Sequence, residues 1–146
     1  MADSPEEGPS GAGILLVSDE RTVRDEVRSV VEGLGLPVKE LSRGAAVTPA
    51  AKEAPFDLVV LDLQIGNMGG MAACMDLRLE ESADRLPHLP VLMLLDRRAD
   101  VFLARRSGAE GWIVKPLDPI RLRKAVRAVL WGGVYHDTSY RPVPVA

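Results

Sequence analysis

FDLVVLD, residues 56–62, reads as an apolar strand that ends in a carboxylate. Leu58 to Leu61 is too short for a helix, lacks the polar alternation of a strand with one wet face, and stops at Asp62. The arrangement recurs along the chain. Ile14 to Val17 runs into Ser18, Asp19 and Glu20, Pro90 to Leu95 runs into Asp96, and Trp112 to Val114 runs into Lys115-Pro116. Pro37 to Leu41 is a weaker strand. Strands without polar alternation are covered on both faces, as in a parallel sheet.

Helical patterns fill the intervals. Val23, Val27, Val30, Val31 and Leu34 share one helix face, and Gly33, Gly35 and Pro37 bring that helix to a stop. Ala45 to Ala54 is a short helix interrupted by Pro49. After a Gly-rich loop at Gly66 to Gly70, Met71 to Leu79 is helical, with Cys74 and its neighbouring methionines read as core. A further short helix is expected at about Ala99 to Arg106. The last spans Pro119 to Leu130, with Leu122, Val126, Val129 and Leu130 inward and Pro119 in the first turn. Strands alternating with helices define an α/β doubly wound domain.

Composition narrows the function classes. The chain has 146 residues, enough for one compact core. A net charge of -3 sets up no field that would draw nucleic acid or an anionic membrane. Cys74 is the single cysteine, so an internal disulfide and a cysteine-built metal cluster are excluded. His88 and His136 are the two histidines, too few for a histidine metal site to be expected. The acidic, polar N-terminus lacks the pattern of a signal peptide, and no apolar run reaches the roughly 20 residues that span a bilayer. A cytoplasmic protein is the resulting expectation. Residues 1–13 read as a flexible segment, 14–130 as the domain, and 131–146 as a C-terminal tail too short for a second core. No attached DNA-binding or catalytic output domain is expected.

In open α/β sheets, ligands sit beyond the carboxyl ends of the strands. Ser18, Asp19, Asp62, Asp96 and Lys115 are the polar residues at those ends. Carboxylates gathered on one edge repel each other unless a hard cation such as Mg²⁺ lies between them. A lysine close by supplies a fixed positive charge for an incoming anionic oxygen. An aspartate, a second carboxylate for a metal and a lysine are what aspartyl-phosphate chemistry requires.

Three segments make a resemblance specific: ILLVSDE (14–20), FDLVVLDLQIGNMGG (56–70) and GAEGWIVKPLDP (108–119). In this order and spacing they resemble the receiver domains of two-component response regulators, from about Ile14 to Leu130. The resemblance implies a flavodoxin-like (βα)5 fold with parallel strand order 2-1-3-4-5. It implies that Asp62 accepts a phosphoryl group from a histidine kinase or phosphotransfer protein. Asp19, Asp62 and the backbone carbonyl of Gln64 would then bind Mg²⁺, and Lys115 would pair with the acceptor and its phosphoryl oxygens. Pro116 would follow a cis peptide bond, and Trp112 stands at the position of the family's aromatic switch residue.

The chain also departs from that pattern. Ser18 replaces the first of two acids, which lowers the expected affinity for metal. Leu95 stands where the family carries a hydroxyl residue, which removes half of the usual switch and makes a packed aromatic the plainer reading of Trp112. Asp96 replaces a small residue and could substitute for the missing acid or repel a phosphoryl group. Gly66 stands in place of proline and loosens its loop, and the stretch from Leu95 to Gly108 is short, so an abbreviated fourth helix is expected.

Two readings therefore stay open: a stand-alone phosphoacceptor that is a signalling protein and not an enzyme, or a phosphorylation-independent pseudo-receiver acting as an interaction module. A small hydrolase or flavodoxin-like cofactor domain fits less well. Gln64 occupies the place of the second acid that aspartate-nucleophile phosphatases need, and no Gly-rich phosphate loop follows the first strand. Between Arg97 and Arg127, nine basic residues face three acids. This fits either a solvated helix face, the commoner case, or a docking surface on the last two helices for an output protein or a second copy, with DNA disfavoured because no helix-turn-helix follows.

Overall fold

The computed structural model describes residues 8–66 and 69–138. Six strands form one parallel sheet in the order β2-β1-β3-β4-β5-β6. They are β1 (Ile14–Val17), β2 (Val38–Leu41), β3 (Leu58–Asp62), β4 (Val91–Leu95), β5 (Gly111–Val114) and β6 (Tyr135–His136). Five helices cover it: α1 (Arg21–Glu32), α2 (Val47–Glu53), α3 (Gly70–Ser82), α4 (Val101–Ser107) and α5 (Pro119–Leu130). The expected order 2-1-3-4-5 is present, and the described part of the tail adds a sixth strand at its edge.

The apolar runs are buried because each strand feeds two cores. Ile14, Leu16, Leu58, Val60, Leu92, Leu94 and Ile113 point toward α1 and α5. Leu15, Val17, Val59, Leu61, Met93, Leu95 and Trp112 point the other way, toward α2, α3 and α4. β2 is the exception. It lies at the sheet edge, half-buried, with Lys39 exposed, which is why its apolar signal is weak.

Several boundaries differ from the sequence reading for local reasons. Pro49 does not break α2: it is the third residue of that helix, where the N–H it lacks would have had no intrahelical partner. α1 ends at Glu32, and Leu34 sits in the closing turn, its N–H donating to Val31. α3 runs past Leu79 because Glu80, which breaks the apolar pattern, is clasped by Arg85 and Lys52; they hold its carboxyl down at about 2. Cys74 is core, with its thiol on the Ser107 carbonyl and its pKa raised by burial. Met75 is not: at 45% exposure it faces outward beside Leu79. α4 is seven residues long, entered through a 3₁₀ turn at Arg98–Asp100 and closed by Gly108 in the left-handed region.

Residues 1–7 of the expected N-terminal segment, Asn67 and Met68 of the Gly-rich loop, and 139–146 of the tail lie outside the described residues. Within the N-terminal segment, the N–H groups of Ser10 and Gly13 donate to the Asp57 carboxylate at 2.8 and 3.0 Å. Burial would raise the Asp57 carboxyl, but these bonds outweigh it and hold the group below its ordinary value.

Gly70 shows how tightly the start of α3 is set against β3. A Cβ there would run into the Asp62 carbonyl and lie 2.7 Å from the Cα of Leu63. Gly70→Ala is therefore expected to cost about 1–3 kcal/mol in urea unfolding, as overpacking does. An unchanged midpoint would mean that α3 can withdraw freely from Asp62.

Candidate functional site

Strand register assembles the site. Val17 pairs with Leu61, which sets Ser18 beside Asp62. Asp62 pairs with Leu94, and the Lys115 N–H donates to the Leu95 carbonyl at 2.7 Å, so the ends of four strands converge. Residues separated by more than 90 positions in sequence become neighbours in this way.

Asp62 has no exposed surface. Lys115 Nζ lies 3.0 and 3.1 Å from its two oxygens, and the Ser18 hydroxyl donates to Oδ2 at 2.8 Å. The Gln64 N–H reaches Oδ1 at a longer 3.4 Å. A buried carboxylate without such partners would be costly, and here both oxygens are satisfied. The third contact of Lys115 goes to Asp96 Oδ1 at 2.9 Å. Burial alone would lower the Lys115 pKa, but the bonds to Asp96 and Asp62 outweigh it and hold the ammonium above its ordinary 10.5. The stability that the raised Lys115 ammonium contributes is thus present at neutral pH and, on the alkaline side, is lost only as pH rises through the elevated value.

The remaining expected residues are placed as follows. Asp19 is exposed, and its Oδ2 accepts from the Gly66 N–H at 3.0 Å. It does not cap α1: that position belongs to Glu20, with no side-chain capping bond. Pro116 follows a cis bond. Leu95 is fully buried against the α3 and α4 side of the sheet. Trp112 is 2% exposed and stacked on His136, with Arg105 over the indole at 5.3 Å. Among the described residues, no three His, Cys, Asp or Glu side chains gather into a metal-holding group.

Two roles were not visible in the sequence. Ser18 is more than a missing acid: it donates to the Asp62 carboxylate while its oxygen accepts from the Glu20 N–H at 3.1 Å. Its place directly after a buried strand beside the one ending in Asp62 is the signal that could have shown this. Asp96 is drawn to Lys115, away from the role of substitute metal acid. In the segment after α5, expected only as a tail, Asp137 is 2% exposed and accepts from the Val114 N–H and the Arg121 guanidinium.

Comparison with known proteins agrees with this fold. The profile of the response regulator receiver domain matches residues 14–127. Chemotaxis protein CheY-3 of Vibrio cholerae is 33% identical over 114 residues, which cover 76% of this chain and 85% of that protein. Transcriptional regulatory protein GltR of Pseudomonas aeruginosa is 30% identical over 123 residues, 83% of this chain and 50% of that protein. The chain thus spans about half the length of curated relatives of the GltR kind. The solved structure of chemotaxis response regulator CheY4 of Vibrio cholerae matches with a TM-score of 0.72 at 27% identity, covering 82% of this chain and 98% of that one. This chain belongs to the response regulator receiver domain family.

Lys115→Met leaves the buried Asp62 charge without its counterion. The expected cost is about 2–3 kcal/mol, below the roughly 3–5 of a fully enclosed pair because Lys115 keeps some contact with water. In an Asp62→Asn background the same substitution should cost less than half as much. Equal costs in the two backgrounds, read by chemical unfolding at neutral pH, would contradict the pairing.

Proposed function

We propose that this receiver accepts a phosphoryl group on Asp62 from a histidine kinase or a phosphotransfer protein and passes the signal on through protein contacts. The observation that carries the reading is the ammonium of Lys115 set 3.0 and 3.1 Å from both oxygens of a buried strand-end carboxylate. In the transfer, an Asp62 oxygen attacks the phosphorus of a phosphohistidine. The O–P bond forms as the N–P bond breaks, and imidazole leaves neutral once its second nitrogen carries a proton. Lys115 stays charged throughout the neutral range and offsets the charge gathering on the phosphoryl oxygens. Because Asp62 is enclosed, Ser18 or Lys115 must yield before the carboxylate meets a donor. The protein takes part in its own modification, and we class it as a signalling protein, not an enzyme.

The donors fit a hard divalent cation. Asp62, Asp19 and the Gln64 carbonyl are all oxygen ligands, the kind Mg²⁺ accepts alongside water. Bound there, Mg²⁺ would neutralise phosphoryl oxygens facing the acceptor. With Ser18 in place of a second acid and Asp96 engaged by Lys115, two carboxylates remain to hold it, so weak binding is expected.

The output step belongs to the same proposal. Among the described residues no carboxylate forms an ion pair with Arg98, Arg106, Arg123, Lys124 or Arg127, whereas Arg97 and Arg121 pair with Asp100 and Asp137. These unpaired cations, on the 3₁₀ turn before α4, on α4 and on α5, suit an acidic surface on an output protein or a second copy. A cytoplasmic location is part of the proposal; no helix among the described residues is long and apolar enough to cross a membrane. Two features weigh toward the pseudo-receiver reading instead: Ser18 caps an Asp62 oxygen, and the buried Leu95 offers no hydroxyl to follow a phosphoryl group.

Incubation with acetyl phosphate and Mg²⁺, read by intact mass, is expected to add one phosphoryl group to the wild type and none to Asp62→Asn. No addition at any Mg²⁺ concentration would transfer the assignment to the phosphorylation-independent module.

A further inference from the structure

β6 is slight by its backbone alone. It pairs Gly111 with Tyr135 and Trp112 with His136, and its two flanking bonds, Tyr135 N–H to Glu110 and Asp137 N–H to Trp112, are both 3.3 Å long. Two residues joined in this way do not make a self-sufficient strand. Side chains hold it instead. The His136 ring lies 4.2 Å from that of Trp112 with 5° between the planes, a stacked pair. Asp137 Oδ2 accepts from the Val114 N–H at 2.9 Å and from Arg121 Nη1 at 2.7 Å. The Asp137 carboxylate thus takes up the N–H of the last β5 residue. The turn that delivers the segment contains Gly132 at φ 87°.

We propose that residues 134–137 are a releasable strap seated on a strand-docking site, whose other occupant is an extended segment of a partner protein carrying a planar ring followed by a carboxylate. The site has three recognising parts. The edge of β5 offers the carbonyls of Glu110 and Trp112 to an added strand. The Trp112 indole offers a face for a ring. The Val114 N–H and the Arg121 guanidinium converge on a carboxylate, a charge-assisted pair that sets which residue follows the ring. The strap shows this chemistry in its own order, His136 and then Asp137. Being tethered, it competes at an effective concentration of roughly millimolar, so an outside strand binds well only when the strap lets go. The inference does not depend on phosphorylation of Asp62.

The test uses the full-length chain, with a synthetic peptide of residues 133–138 (GVYHDT) as the probe. Replacing both anchors, His136→Ala with Asp137→Ala, is expected to speed amide exchange at Val114 by about tenfold or more. Leu15 and Val17 amides should stay protected, reporting an intact sheet. The same variant should bind the peptide at least about tenfold more tightly than the wild type does, and bound peptide should restore protection at Val114. A peptide with the ring and the acid both replaced by alanine should not bind, and adding Trp112→Leu to the variant should abolish binding. If the double variant also loses protection at Leu15 and Val17, Asp137→Asn alone is read at the same amide. Unchanged exchange at Val114 in an intact sheet overturns the proposal. So does an absence of peptide-induced shifts at millimolar peptide, or equal affinity for wild type and variant.

Discussion

A carboxylate with no exposed surface is held in the fold by one ammonium group. Taking a charge out of water costs several kcal/mol unless a counterion and hydrogen bonds replace the lost solvent. At Asp62 the replacement is Lys115 across both oxygens and Ser18 on one. That requirement fixes much else. β1, β3 and β5 must end level with one another, and α3 must start so close to β3 that Gly70 has no room for a side chain. The lysine must also be aimed from the turn that carries Pro116. The same contacts that make the buried charge tolerable are those a phosphoryl group would use, since an ammonium that neutralises a carboxylate also neutralises an acyl phosphate.

On the proposed reading, the half of the site that presents Asp62 is complete and the half that would respond to it is not. Lys115 spans both oxygens of Asp62, Asp19 lies just after the neighbouring strand β1, and Ser18 adds a bond to Asp62. On the responding side, Leu95 is sealed in the core, and Trp112 is occupied by His136. A contiguous set of contacts nevertheless leaves the site by another way. Lys115 adjoins Pro116, whose carbonyl accepts from Arg121 at 3.0 Å, and Arg121 holds Asp137 at the edge of β5.

The strands and their order were legible because apolar runs without alternation have one stable use, a sheet covered on both faces. The site was legible in outline for a related reason. A polar residue that ends such a run must emerge at the carboxyl edge, so the sequence alone groups Asp62, Asp19, Asp96 and Lys115. It does not pair them. Whether Asp96 turns to a metal or to Lys115, and whether Ser18 merely lacks a charge or donates a proton, depends on distances of about a hydrogen bond, which spacing does not encode. β6 escaped notice because two residues carry no periodicity, and its anchors, a stacked ring and a carboxylate on a backbone N–H, are tertiary contacts. Met75 was misplaced because α3 mixes apolar residues around its whole circumference, leaving no single face to read.

On the proposed reading, the buried carboxylate paired with Lys115 is the group that receives phosphorus. An acyl phosphate, unlike a phosphate ester, is reduced by borohydride to an alcohol, which marks the residue that bore it. Treatment with a phosphodonor and Mg²⁺, then borohydride and peptide mass mapping, should place the reduced residue at Asp62 and nowhere else. Reduction at Asp19 or Asp96, or at no residue under conditions that modify a competent receiver in parallel, would contradict the account.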